Sequence, residues 1–190
     1  MALDTERALR QVNEERDRAE RAHIEARHDP LTGLANRRRF DEYLEGMLPR
    51  ASLEHPISLV LVDLDHFKSI NDRFRHLVGD AALRWVAGNI KSQCRQTDLC
   101  ARLGGDEFAL VVVAPLSVAL QVCTRLRVAV AQHCPDLPAE LTIRLSAGVA
   151  EATAPCDVHH LFKRADEALY AAKAAGRDTV HHDSPKDSPA

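Results

Sequence analysis

Aromatic residues are scarce in this 190-residue chain, at 4%, which removes the stacking platforms on which single-stranded bases are usually held. Nor is there a basic excess. Against 25 Lys and Arg stand 28 Asp and Glu, for a formal charge of -3, whereas nucleic-acid binders display a positive face. Both absences argue against nucleic acid as a partner. No apolar run approaches the ~18–20 residues needed to cross a bilayer, and no signal-peptide pattern opens the sequence. A cytoplasmic protein with no membrane segment is expected. The five cysteines, Cys94, Cys100, Cys123, Cys134 and Cys156, are odd in number and include no CxxC pair. That speaks against a disulfide framework or a structural zinc site and for a reducing compartment. What is present, 45% hydrophobic and 28% charged residues, is the balance of a soluble globular protein, and the length suits one domain plus an appendage.

The appendage is at the start. Residues 1–28 carry seven acidic and six basic side chains and no Gly or Pro. Glu6–Arg10, Glu14–Arg18 and Asp17–Arg21 stand in the favourable i,i+4 order. This predicts a solvated helix, with an imperfect heptad seam through Leu9, Val12, Arg16, Ala19, His23 and Ala26. It reads as an exposed helix in need of a partner, or more specifically as a signalling stalk that pairs with another chain. Asp29-Pro30 ends it, because Pro disfavours helix at the preceding residue while suiting the first turn of a new one.

Beyond that point Ile57–Leu64 predicts a buried strand, and Gly79 to Cys94 an amphipathic helix through Ala82, Leu83, Val86 and Ile90. Leu99–Leu103 and Phe108–Val113 flank a Gly-bearing tip and predict a β-hairpin. Leu116–Cys134 reads as helix, Leu141–Ala150 as an alternating strand, Val158–Ala175 as a helix ended by Gly176, and Thr179–His181 as a last short strand. The expected architecture is one α+β sandwich domain over residues 29–181: a central sheet flanked by helices, preceded by the stalk and followed by a disordered tail over 182–190.

The chemistry-bearing residues gather where strands end. Ile57–Leu64 closes in Asp63-Leu64-Asp65, with Leu59, Leu61 and Asp63 on one face. The hairpin tip supplies Asp106-Glu107 after two glycines that allow close backbone approach. If the strands are neighbours, Asp63 and Asp106 converge, and paired hard carboxylates call for a cation such as Mg²⁺ together with substrate phosphates. Taken singly, either site reads as a solvated turn.

Gly104-Gly105-Asp106-Glu107-Phe108 resembles the signature of the GGDEF-domain diguanylate cyclases, and the likeness extends over nearly all of residues 29–180. Asp29-Pro30-Leu31-Thr32-Gly33-Leu34-Ala35-Asn36-Arg37 is similar to the family's opening motif, and Asp63 to Asp72 (DLDHFKSIND) to its first catalytic strand and loop. Ala165 to Lys173 (ADEALYAAK) with Gly176-Arg177 resembles its last helix. The resemblance implies a nucleotidyl-cyclase-like sheet and an enzyme that joins two GTP into cyclic di-GMP with release of two pyrophosphates. It assigns Asp63, the Leu64 carbonyl and Asp106 to two Mg²⁺ (or Mn²⁺) ions, and Asp106 to the base with Glu107 in support. Which carboxylate takes the proton stays open from sequence.

Guanine offers two donors beside an acceptor, a pattern read by one carboxylate and one amide. By resemblance Asn71 and Asp80 fill these roles; by themselves they read as a turn and a helix N-cap. Lys173 and Arg177, four apart, could share a helix face and hold the triphosphate, or serve only as helix-end cations. Lys68 and the backbone amides of His66 and Phe67 join them by resemblance, whereas Arg37 and Arg38 suit surface ion pairs. Arg95-Gln96-Thr97-Asp98 has the spacing of the family's inhibitory product site, at which Arg95 would fork onto guanine. His76 and the pairs His159-His160 and His181-His182 read as structural or surface residues. The family has Gly where Arg75 stands. The implied partners are GTP, cyclic di-GMP, a second copy of the chain for turnover, and a regulatory protein through the stalk. The alternative is a domain that keeps the fold and binds GTP or cyclic di-GMP as a regulatory module without making product.

Overall fold

Eight consecutive buried residues, Ile57–Leu64, form β1; apolar but for Ser58 and Asp63, they make the middle strand of a sheet covered on both faces. The computed structural model describes residues 26–183. The stalk before residue 26 and the tail after residue 183 therefore lie outside the described residues. In chain order the elements are α1 (Arg37–Met47), β1 (Ile57–Leu64), α2 (Phe67–Gln93), β2 (Leu99–Gly104), β3 (Glu107–Val112), α3 (Leu116–Val130), β4 (Leu145–Ala152), α4 (Val158–Ala174) and β5 (Val180–His182). A single 3₁₀ turn, Leu48–Arg50, follows α1.

The five strands run in the order β2-β3-β1-β4-β5. β1 is antiparallel to both β3 and β4, and β4 is parallel to β5. Because side chains alternate, β1 feeds two cores. Val60, Val62 and Leu64 pack with Leu83, Val86 and Ile90 of α2 and Leu126 of α3. Leu59 and Leu61 pack on the other side with Phe40 and Leu44 of α1 and Leu161 and Ala165 of α4. The result is the three-layer arrangement expected from the sequence.

α4 lies close to the sheet because its inner face is small. Ala165, Ala168 and Ala172 are buried beside Leu161 and Leu169, over a β4 that carries Gly148 in mid-strand. Its first turn is closed by Asp157, whose side chain accepts from the His160 N–H at 3.1 Å.

Several boundaries differ from the sequence reading. No helix starts at Pro30. Asp29 Oδ1 accepts from the Thr32 N–H at 2.9 Å, the chain turns, and α1 begins at Arg37 with Asn36 as its N-cap. Residues 26–28 likewise form a turn and a β-bridge rather than the end of a stalk helix. α2 begins at Phe67 instead of Gly79, so Asn71-Asp72 is helical and Asp80 lies inside the helix; neither a turn nor an N-cap describes them. β4 starts at Leu145: Leu141 and Ile143 continue the alternation without strand partners. α3 ends at Val130 rather than Cys134. β5 reaches His182, and the Asp183 N–H donates to the Val149 carbonyl at 2.8 Å.

α2 is interrupted at Arg75, with φ 72° and ψ 165°. This backbone region is nearly restricted to Gly and costs another residue about 1–3 kcal/mol. The Arg75→Gly variant should therefore gain stability, with a Tm higher by ~2–12 °C for a domain of this size. An unchanged or lower Tm in thermal unfolding would contradict the strain.

Candidate functional site

β1 and β3 run antiparallel, with Asp63 opposite Glu107, and the Leu64 N–H donates to the Asp106 carbonyl at 3.2 Å. The expected convergence of Asp63, Leu64, Asp106 and Glu107 is thus observed at one sheet edge. Asp63 is 9% exposed, Asp106 is half-buried and Glu107 exposed. Lys173, in the last turn of α4, reaches across and places Nζ 2.8 Å from Asp63 Oδ2. Burial pushes the Asp63 carboxyl above its ordinary value, Lys173 opposes that, and Asp106 and Glu107 reinforce it.

The donor set suits a hard divalent cation held partly by substrate. Among the described residues no group of three or more His, Cys, Asp or Glu side chains is placed to hold a metal ion unaided. Two carboxylates and a carbonyl leave open the coordination positions that Mg²⁺ fills with phosphate oxygens and water. A cationic Nζ already seated against Asp63 shows that this corner balances its charge with positive groups.

α2 begins beside these acids. His66 is its N-cap in the left-handed region, φ 59°, so the first amides of the helix, Phe67 onward, point out beside Leu64. A helix start of this kind favours phosphate. Lys68 is exposed. One turn further in, Asn71 lies over Gly79. A Cβ on Gly79 would overlap Asn71 Oδ1 and come within 3.0 Å of its Cγ and 3.4 Å of the Phe67 ring. Asn71 Oδ1 is buried without a hydrogen-bond partner. Such an orphan is costly unless a ligand satisfies it. Asp80 follows Gly79 directly and is half-buried. The amide that the sequence singled out thus packs over the residue that directly precedes the carboxylate.

Arg177 is placed differently from the sequence reading. α4 ends at Ala174, so Arg177 shares no helix face with Lys173. It sits in a following turn with φ 66°. Arg95 and Asp98 lie at the start of β2, and the signature tip at its end, roughly 20 Å away for a six-residue strand. Asp98 Oδ2 accepts from the Arg95 N–H at 2.9 Å and Oδ1 from the Val113 N–H at 3.1 Å, while the Arg95 side chain is exposed. A cavity of about 300 Å³ beside them is lined with His28, Arg39, Lys91 and Arg95. Arg37 and Arg38 form the expected surface pairs, with Asp41 at 3.5 Å and Glu42 at 3.1 Å.

Sequence reasoning missed Arg102. Its Nη1 lies 3.2 Å from both oxygens of Asp29, and its Nε and Nη2 donate to the Gly105 carbonyl at 3.0 and 2.7 Å. Asp29 also accepts from the Thr32 hydroxyl at 2.6 Å. Burial alone would push its carboxyl up; the Thr32 hydrogen bonds and Arg102 outweigh this and hold it below its ordinary value. No local pattern marks a pair this far apart in sequence.

Comparison with known proteins follows this geometry. The family model described as "Diguanylate cyclase, GGDEF domain" matches residues 26–179. The chain is 42% identical over 157 residues to the diguanylate cyclase DgcP of Pseudomonas aeruginosa, covering 80% of this chain but 23% of that protein. In structure it is similar to the coiled coil and GGDEF domain of DgcB from Caulobacter crescentus, solved in complex with c-di-GMP. The TM-score is 0.87 at 32% identity, over 96% of this chain and all of that one. It is also similar to the diguanylate cyclase SiaD of Pseudomonas aeruginosa in complex with its activator SiaC. There the TM-score is 0.76 at 33% identity, over 93% of this chain and 72% of that one.

Proposed function

The chain belongs to the GGDEF-domain family of diguanylate cyclases, and from that membership we propose that it condenses two GTP into cyclic di-GMP and two pyrophosphates. The observation that carries this reading is the meeting of Asp63 and the Asp106-Glu107 tip at one sheet edge, beside an Asn71–Asp80 pair with an unspent acceptor.

In this reading guanine enters between Asn71 and Asp80. Asp80 accepts from N1–H and one hydrogen of the 2-amino group, while Asn71 Oδ1 accepts the other 2-amino hydrogen and its Nδ2 donates to a ring acceptor of the base. The amides of His66 and Phe67, with Lys68, Lys173 and Arg177, take the triphosphate. Asp63, the Leu64 carbonyl and Asp106 would hold two divalent ions, Mg²⁺ or Mn²⁺, which supply charge neutralisation at the phosphates and polarisation of the attacking hydroxyl. Asp106 takes the 3′-hydroxyl proton, with Glu107 in support, as oxygen bonds to the α-phosphorus and the bond to the β-phosphate bridging oxygen breaks. Each domain holds one GTP, so two copies face each other, and each contributes one attack. The stalk suits that pairing; among the similar structures, that of DgcB includes a coiled coil, and that of SiaD a bound activator, SiaC.

Incubation with GTP and Mg²⁺, followed by chromatography of cyclic di-GMP and pyrophosphate across protein concentration, tests this. Product should form with a rate per chain that rises with concentration until the dimer is saturated. Absence of product at all concentrations would refute it.

Two residue-level outcomes follow. Gly79→Ala displaces the far end of one flexible side chain, so the protein should fold with little change in Tm. Its GTP affinity should fall by ~10-fold, about 1.4 kcal/mol, because Asn71 is pushed out of place. A variant that binds like the parent would show that Asn71 does not read the base. Arg95 belongs to a proposed product-inhibition site with Asp98. Arg95→Ala should leave early turnover intact and remove the late slowing of progress curves; superimposable curves would dismiss that role.

A further inference from the structure

The turn after α4 is unusual in its backbone. Gly176, Arg177 and Asp178 take φ values of 109°, 66° and 45° in succession. Gly accepts this freely, but two consecutive left-handed residues with side chains cost on the order of 1 kcal/mol each. Such a turn persists only if its surroundings over-determine it.

They do. At the helix end, the Arg177 N–H donates to the Ala172 carbonyl at 3.2 Å. One residue on, the Asp178 N–H donates to Asp65 Oδ2 at 2.9 Å. Asp65 is 5% exposed, and its other oxygen accepts from the Ser146 hydroxyl at 2.7 Å. Both oxygens of a buried carboxylate are thus spent on two partners, one in β4 and one in this turn. The Asp178 carboxylate is itself gripped from two sides, by Arg127 of α3 at 3.1 Å and by Arg144. The strand then resumes at once, with the Ala147 N–H donating to the Thr179 carbonyl at 3.0 Å.

The placement gives this latch a purpose. Asp65 directly follows the Asp63-Leu64 pair, so the turn is tied to the very end of the strand that carries the site. The cations around it are committed: Arg127 and Arg144 to Asp178, Lys173 to Asp63. Arg177, in the middle of the strained turn, is exposed. We propose that Asp65 and Asp178 are positioning residues that latch the Gly176–Asp178 turn to the end of β1 and so hold Arg177 ready for the phosphates of the nucleotide. This rests on the reading of Arg177 as a triphosphate contact, and the experiment separates the two.

The probes are GTP turnover, calorimetric binding of α,β-methylene GTP with Mg²⁺, and competition by guanosine, which has no phosphate. Asp178→Ala removes the grip of Arg127 and Arg144 and places Ala at a positive φ. It should raise KM for GTP by ~5–10-fold with kcat within ~2-fold, weaken α,β-methylene GTP by the same factor, and leave guanosine unchanged. In an Arg177→Ala background, Asp178→Ala should add nothing further, the signature of residues acting through one another.

Equal losses for guanosine and α,β-methylene GTP, or additive losses in the double variant, would overturn the latch while sparing the role of Arg177. If Arg177→Ala alone binds α,β-methylene GTP like the parent, the phosphate contact fails and the latch with it. Should Asp178→Ala not fold, the pair Arg127→Gln and Arg144→Gln frees the same carboxylate from solvent-accessible partners. It should show the same selectivity for the phosphate-bearing ligand, and the absence of that selectivity would count against the proposal.

Discussion

Replacing Asp106 with Ala should abolish the proposed cyclic di-GMP formation, lowering turnover by ~10³-fold or more while the protein stays folded. Asp106 is half-buried at a turn rather than in a core, and what β1 holds is its backbone carbonyl, which alanine retains. The side chain is therefore free for chemistry. In the proposed mechanism Asp106 helps hold the divalent ions and accepts the hydroxyl proton, so its loss should remove several kcal/mol of transition-state stabilisation, and each 1.36 kcal/mol is about tenfold in rate. Chromatographic turnover on a variant with the parent's circular dichroism and Tm is the measurement. Retention of a tenth of the activity would show that the proton goes elsewhere. The pH profile provides a second reading of the same acids. Burial raises the Asp63 carboxyl, so as pH falls it takes up its proton earlier than a free Asp, near ~3.9, would. In the proposed mechanism the ionised form is the one that acts, so the acid limb of kcat/KM should lie above that value.

Gly148→Ala should unfold the domain or come close to it, costing about 3 kcal/mol or more. A Cβ at this position would overlap the Leu169 N and the Ala165 carbonyl oxygen and lie 2.7 Å from Leu169 Cα. These are backbone atoms of a helix, which cannot rotate aside as the Asn71 side chain can at Gly79. α4 would have to lift off β4, opening the core around Leu161, Ala165 and Leu169 and drawing Lys173 away from Asp63. A Tm loss of ~6–12 °C is expected at minimum. A Tm within ~2 °C of the parent would show that the helix–sheet contact is looser than described.

How much of this could be read in the sequence depends on how local the cause is. β1 is legible to the residue, because a strand buried on both faces reads as a run that here is apolar but for Ser58 and Asp63. The hairpin was legible because two glycines and two acids between such runs leave little else. α1 was not singled out: only Phe40 and Leu44 of its residues are buried, and its i,i+4 ion pairs lie among charges that a loop would also carry. The start of α2 was misplaced because Asn71, Asp72 and Gly79 are turn formers. Here Gly79 is small to admit the Asn71 side chain, a tertiary reason with no local trace, and the interruption falls on Arg75 instead. The three acids Asp63, Asp106 and Glu107 and Lys173 are each legible in the sequence, and the fold brings them to one sheet edge. The residues that hold them, Arg102 and the Asp65–Asp178 pair, join positions 73 and 113 apart and could be found only once the chain was folded.

Arg102 has one more consequence. A guanidinium is a flat, stiff fork, and this one is bolted at one end to Asp29, where the chain emerges from the segment before it, and at the other to the peptide that precedes Asp106. It acts as a strut that bypasses the packed interior. One side chain thus ties the turn at Asp29 directly to the peptide before Asp106, so the geometry of the signature tip depends on a residue more than seventy positions earlier in the chain.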